Sequence, residues 1–155
     1  MNKNTLIFSL TLLLTGNIVS QSLNNNLFKK QLKTIKINSN KIISLYDESG
    51  RGVILWEQDR KIKGFRFSHD KKKKLKKYKI RPSNKIKNFF ISTINDYDFL
   101  INRKNVDCDN SVNAFTNFYA TVVAEGKDYS NTFKSNCGTI KHREKIKLLF
   151  ELLYD

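Results

Sequence analysis

An apolar run at residues 6–14 (LIFSLTLLL), interrupted only by small hydroxyl side chains, decides how much of this chain is left to fold. It follows a short polar start carrying Lys3, and Thr15-Gly16-Asn17 breaks it before the small residue Ser20. A charged start, a short apolar core and a small residue at the cut are the three parts of a secretory signal peptide. Cleavage is expected after Ser20. An uncleaved membrane anchor is the competing reading, but a spanning helix needs about 20 apolar residues, and this run of nine residues has seven. No cysteine follows the run to accept a lipid there. The expected mature chain, 21–155, is enough for one domain around one core and too little for two. It is expected to hold no transmembrane span and to reside in the periplasm or outside a bacterial cell.

Export changes the meaning of the two cysteines, Cys108 and Cys137. An even count in an exported chain reads as a disulfide framework. Closing a loop of that length stabilises by about 3 to 4 kcal/mol in the chain-entropy model. The competing reading is a reactive thiol at Cys137, which just precedes an expected helix, where a thiolate is favoured.

The Asn-rich stretch 21–30 reads as a loose lead-in. Residues 32–37 (LKTIKI) alternate apolar and polar, the period of a half-buried strand. Turn residues then separate three further strands: 41–46 (KIISLY), 52–57 (GVILWE) and 61–68 (KIKGFRFS). Four short runs at this spacing make an antiparallel meander. Residues 69–79 (HDKKKKLKKYK) carry too much like charge and too little to bury, and read as a solvated loop or ragged strand. After Pro82, Ser83 or Asn84 can cap a helix whose stripe is Ile86, Phe89, Phe90, Thr93 and Ile94, with Asp96 and Asp98 as turn and helix-end residues. An irregular stretch holding Cys108 follows. Residues 117–124 (NFYATVVA) form a strand, 125–128 a hairpin turn and 129–134 the return. A last helix is expected at 140–154, its apolar stripe of Ile146, Leu149, Phe150 and Leu153 widened by Leu148 and Leu152 and wide enough to lie on a sheet. The expected fold is therefore a small two-layer α+β domain: a meander plus a C-terminal hairpin in one antiparallel sheet, packed by two helices. No internal repeat is visible.

The formal charge is +15, and loss of Lys3 with the signal peptide leaves +14. Such a balance attracts polyanions. The basic residues are mostly lysine, accompanied by abundant Asn and Ile, a composition that an AT-rich genome writes without selection for charge. Scarce arginine also argues against bidentate recognition of bases or phosphates. Within this background Lys71, Lys72, Lys73, Lys74, Lys76 and Lys77 (with Lys79 beyond) form a candidate electrostatic footprint for a polyanion, against the plainer reading of a solvated loop. Lys63-Gly64-Phe65-Arg66-Phe67 resembles the core of the RNA-recognition motif at four positions and departs from it at Arg66, Ser68 and Asp70. The resemblance implies stacking of bases on Phe65 and Phe67; the ordinary alternative is that both rings belong to a core. Lys141, His142 and Arg143 put cations in the first turn of the last helix, against its dipole, and Glu151 and Asp155 put anions at its end. This is a second candidate anion site, the alternative being a tolerated surface cost.

Enzymatic chemistry has less to stand on. His69 and His142 are the only histidines. They match no metal spacing, and acid–base cleavage of RNA requires them to converge in one cleft. Asp107-Cys108-Asp109-Asn110 begins like a calcium loop but has Val112 where glycine is needed and Phe118 where a bidentate glutamate belongs. No catalytic residue, metal ligand or cofactor is assigned. The expectation is an exported binding or interaction module. Its expected partner is a polyanion (lipopolysaccharide, acidic polysaccharide or nucleic acid) or another exported protein, the latter including inhibitor or immunity roles. A small basic hydrolase such as a ribonuclease is the alternative from a different class.

Overall fold

A computed structural model describes residues 27–72, 74–102, 108, 116–137 and 140–154, with side chains from 143 onward in the last helix. The expected signal peptide lies outside the described residues.

One antiparallel sheet organises the chain. Its strands are β1 (Ile42–Asp47), β2 (Gly52–Gln58), β3 (Lys61–His69), β4 (Leu75–Ile80), β5 (Asn117–Ala124) and β6 (Lys127–Lys134). They lie in the order β4-β3-β2-β1-β5-β6. The meander and the C-terminal hairpin are therefore joined side by side through β1 and β5, in a register running from Ile42↔Val123 to Asp47↔Phe118. Two of the turns explain themselves locally. Asp59 and Arg60 have φ of 54° and 58°, and Glu125 and Gly126 have 52° and 75°. Two consecutive left-handed residues make the two-residue turn whose twist matches its flanking strands.

Residues directly opposite in an antiparallel pair share a face, so the register sorts the core. One face carries Ile43, Leu45, Val53, Leu55, Phe118, Ala120, Val122 and Phe133, all buried. Three helices cover it: α2 (Asn84–Asn95), α3 (Asp98–Ile101) and α4 (Ile140–Tyr154). Ser83 caps α2 by accepting a hydrogen bond from the Ile86 N–H, satisfying one of the orphan donors at the helix start. Ile86, Phe90 and Thr93 are the side chains that α2 buries. Helix α4 buries Ile146, Leu149 and Leu153, and sets Phe150 edge-on to Phe118 at 5.0 Å. The expected α+β body of one antiparallel sheet packed by helices is present.

Two local expectations are corrected. Residues 27–38 are helical (α1) rather than a lead-in followed by a strand at 32–37. Phe28, Leu32 and Ile35 are buried at helical spacing, whereas Ile37, which completes the apparent alternation, is 76% exposed. Helix α1 lies on the other face of the sheet, over Ile42, Ile54, Trp56, Phe67 and Val123. Burying its three side chains is worth roughly 1.5 to 3 kcal/mol each. The approach is close at Gly52, where an added Cβ would stand 2.5 Å from the Phe28 ring. The second correction follows from the first. The meander still has four strands, but its fourth is β4, drawn from the lysine-rich segment, and its first is β1.

Candidate anion-binding site

Of the two alternatives for the lysine-rich segment, solvated loop or ragged strand, the strand holds over 75–80, which is paired in a hairpin with β3. β3 ends at His69, and β4 pairs back on it from His69↔Leu75 to Gly64↔Ile80. β4 ends the sheet and bears little to bury. Its backbone ladder with β3 holds it in place, Leu75 and Ile80 at its ends pack partly buried against the two cores, and the side chains between them are exposed. Lys71 and Lys72 occupy the turn, Lys74 leads into β4, and Lys76 and Lys77 point to opposite faces of it. Lys73 lies outside the described residues.

Asp70 makes this turn. Its Oδ1 accepts hydrogen bonds from the backbone N–H groups of Lys72 and Lys74, both at 2.9 Å. Its Oδ2 pairs with the Lys76 ammonium at 3.0 Å. Its backbone N–H donates to the Lys74 carbonyl at 2.9 Å. The hydrogen bond from Lys74, then that from the Lys76 ammonium, hold the Asp70 carboxyl below the usual aspartate value of 3.8. The same contact raises Lys76 above the usual lysine value. Asp70 carried no functional signal in the sequence beyond its departure from the RNA-recognition pattern. An aspartate closing a turn onto the two N–H groups that follow it is the available cue.

The other lysines divide into engaged and free. Lys77 donates to Gln31 of α1 at 2.9 Å and lies over the Phe65 ring at 4.5 Å. Among the described residues, Lys71, Lys72, Lys74 and Lys79 have no ion-pair partner. On the opposite face Arg66 lies over the Tyr78 ring at 5.5 Å. The residues that resemble an RNA-recognition core offer no open platform: Phe67 is fully buried under α1 against Phe28, and Phe65 is half-buried beneath Lys77.

The second candidate group is not joined to the first by any described contact. Lys141, His142 and Arg143 fall in the first turn of α4, which follows β6 at the opposite edge of the sheet. Arg143 is exposed; the side chains of Lys141 and His142 lie outside the described residues. Of the two anions expected to suffer at the far end of α4, Glu151 is compensated by Lys85 at 3.0 Å, and Asp155 lies outside the described residues. Asp96 caps α2 and pairs with Lys145 at 3.0 Å, and Asp98 opens α3.

Two larger clefts complete the surface. One, of about 660 Å³, sits at the end of α1 between the β2–β3 and β5–β6 turns. Its carboxylates are already paired: Glu57 with Lys41, Asp59 with Lys63, and Asp128 with Lys36. The other, of about 560 Å³, runs along α4 past Arg143, Lys147, Phe150 and Tyr154. Neither has a histidine in its wall. No group of three or more His, Cys, Asp or Glu among the described residues is arranged to hold a metal ion. Cys108 and Cys137 are joined at an S–S distance of 2.08 Å, which assigns Cys137 to the structural bridge rather than to a reactive thiol. No helix among the described residues is long and apolar enough to cross a membrane.

No protein-family model, curated protein or solved structure matches this chain. The functional reading therefore rests on the geometry of the hairpin.

Proposed function

We propose that this is an exported binding module that takes sulfate- or phosphate-bearing polymers on its β3–β4 hairpin. One observation carries the reading. Residues 60–81 hold twelve basic side chains and one acidic one, Asp70. That single hairpin with its flanks supplies +11 of the chain's +15. Its one carboxylate is turned inward to the turn and to Lys76. Compositional drift spreads charge along a sequence; here it is gathered on one hairpin and its flanks at the edge of the sheet. Lysines act as point charges, with none of the fork geometry that reads a particular base or phosphate, and Phe65 and Phe67 offer no open platform for stacked bases. Such a surface recognises charge density and spacing rather than sequence. The disulfide supports export, because such bonds persist in oxidising compartments.

The test is binding of the 21–155 domain to dextran sulfate, DNA and lipopolysaccharide across a salt series. It is run beside a variant with Lys71, Lys72, Lys73 and Lys74 all replaced by Ala. The expected result is affinity that falls linearly in log–log form with salt, with a shallower slope in the variant because fewer counterions are released. Absence of binding to all three polymers at about 0.15 M salt overturns the reading. Capture of an exported protein, insensitive to salt and to the four lysines, favours the inhibitor-type alternative instead.

A further inference from the structure

Six lysines within seven residues, 71–77, repel one another, and the one apolar residue among them, Leu75, packs partly buried at the start of β4 rather than in the turn. Residues 71 and 72 nonetheless lie in a turn, and residues 75–77 in a paired strand. The group that holds the turn is the Asp70 carboxylate, whose side chain is 16% exposed. One oxygen fixes the backbone at Lys72 and Lys74, and the other fixes the Lys76 ammonium. These contacts set where the free ammonium groups of Lys71, Lys72 and Lys74 project, and they begin the register that places Lys77 and Lys79 on β4.

We propose that Asp70, through the hydrogen bonds its Oδ1 accepts from the turn, is the positioning residue of the anion site: an acidic side chain on which binding of acidic polymers depends. The proposal rests on the reading of the hairpin as a polyanion site and adds that affinity follows the arrangement of its lysines rather than their number. Fixing charged side chains in advance removes an ordering cost that binding otherwise carries.

Two substitutions separate arrangement from charge, because each removes one negative charge. Asp70→Asn retains an oxygen that accepts from the Lys72 and Lys74 N–H groups. Asp70→Ala retains none. If charge alone governs binding, both variants bind dextran sulfate more tightly than the parent, and equally so. If Asp70 positions the site, Asp70→Asn binds at least as tightly as the parent and Asp70→Ala binds about threefold to tenfold more weakly, with a reduced salt slope. Thermal unfolding of both variants confirms that the domain remains folded, and rescue by Asn is a readout that general damage to the fold does not produce.

An Ala variant as tight as the Asn variant overturns the proposal. So does equal weakening of both, which assigns the effect to the Lys76 ion pair instead of the turn. Failure of the parent itself to bind dextran sulfate overturns the underlying functional reading, and is distinguishable because it appears before any substitution is compared.

Discussion

A lone carboxylate in a basic field has an acid titration that reports its environment. Asp70 is ionised in the fold under conditions where an unfolded aspartate is already taking up protons, because the Lys74 N–H, the Lys76 ammonium and the Lys72 N–H all favour the charged form. Its folded value lies below its unfolded one. The stability it contributes is therefore fully present above the unfolded value of about 3.9, and is lost as pH falls through the folded value. Lys76 runs the other way. Its raised value gives a contribution complete below about 10.4 and lost as alkali removes the proton. NMR checks the acid limb directly. The amide resonances of Lys72 and Lys74, which donate to Asp70, are expected to shift with pH in a single step whose midpoint lies below 3.8. A midpoint at or above that value means that the turn does not favour the carboxylate.

Elements show where sequence reasoning reaches and where it stops. Strands 52–58 and 117–124 and helices 84–95 and 140–154 were legible because their own side chains carry the pattern. Each buries enough apolar surface to mark its period. Helix α1 was not, because six residues are too few to separate a period of 2 from one of 3.6. Leu32 and Ile35 serve either period, Ile37 favoured the strand, and only Phe28, placed in the lead-in, tips the stripe to helical. β4 was legible only as one of two alternatives, a solvated loop or a ragged strand, for the opposite reason. Its own sequence, LKKYKI, has little apolar content, and what makes it a strand is the ladder offered by β3. The lysines of the candidate site were thus visible as composition, while their arrangement depends on Asp70 and on a partner strand. The α1 assignment has a direct consequence. Phe28 is fully buried between Tyr46, at 4.6 Å, and Phe67, at 5.0 Å. Phe28→Ala is expected to cost about 3 to 5 kcal/mol of stability and to red-shift the emission of Trp56, which belongs to the same cluster. Urea unfolding followed by tryptophan fluorescence measures both. A cost under about 1 kcal/mol with unchanged emission means that α1 is not seated on this face.

At the scale of the molecule, stability and the proposed binding lie at opposite edges of one sheet. Cys108 lies between α3 and β5, and Cys137 lies between β6 and α4, so their bond ties together the two connections beside the β5–β6 edge. The lysine hairpin forms the other edge, with β2 and β1 between. A disulfide closing 29 residues restricts the unfolded chain and stabilises by about 3 to 4 kcal/mol. For a domain of this size that corresponds to a fall in Tm of roughly 10 to 15 °C on its removal. Distant sites without shared partners contribute independently. Replacing Cys108 and Cys137 together with Ser is therefore expected to lower Tm by that amount while leaving the dissociation constant for dextran sulfate at 25 °C within about twofold. Calorimetry and a binding titration on the same preparation give both numbers. Loss of binding with little change in Tm contradicts this division of labour, because it places the anion site at the disulfide edge, where Arg143 lies in the first turn of α4. A large fall in Tm with binding intact is what a charged hairpin at the far edge of a stapled sheet requires.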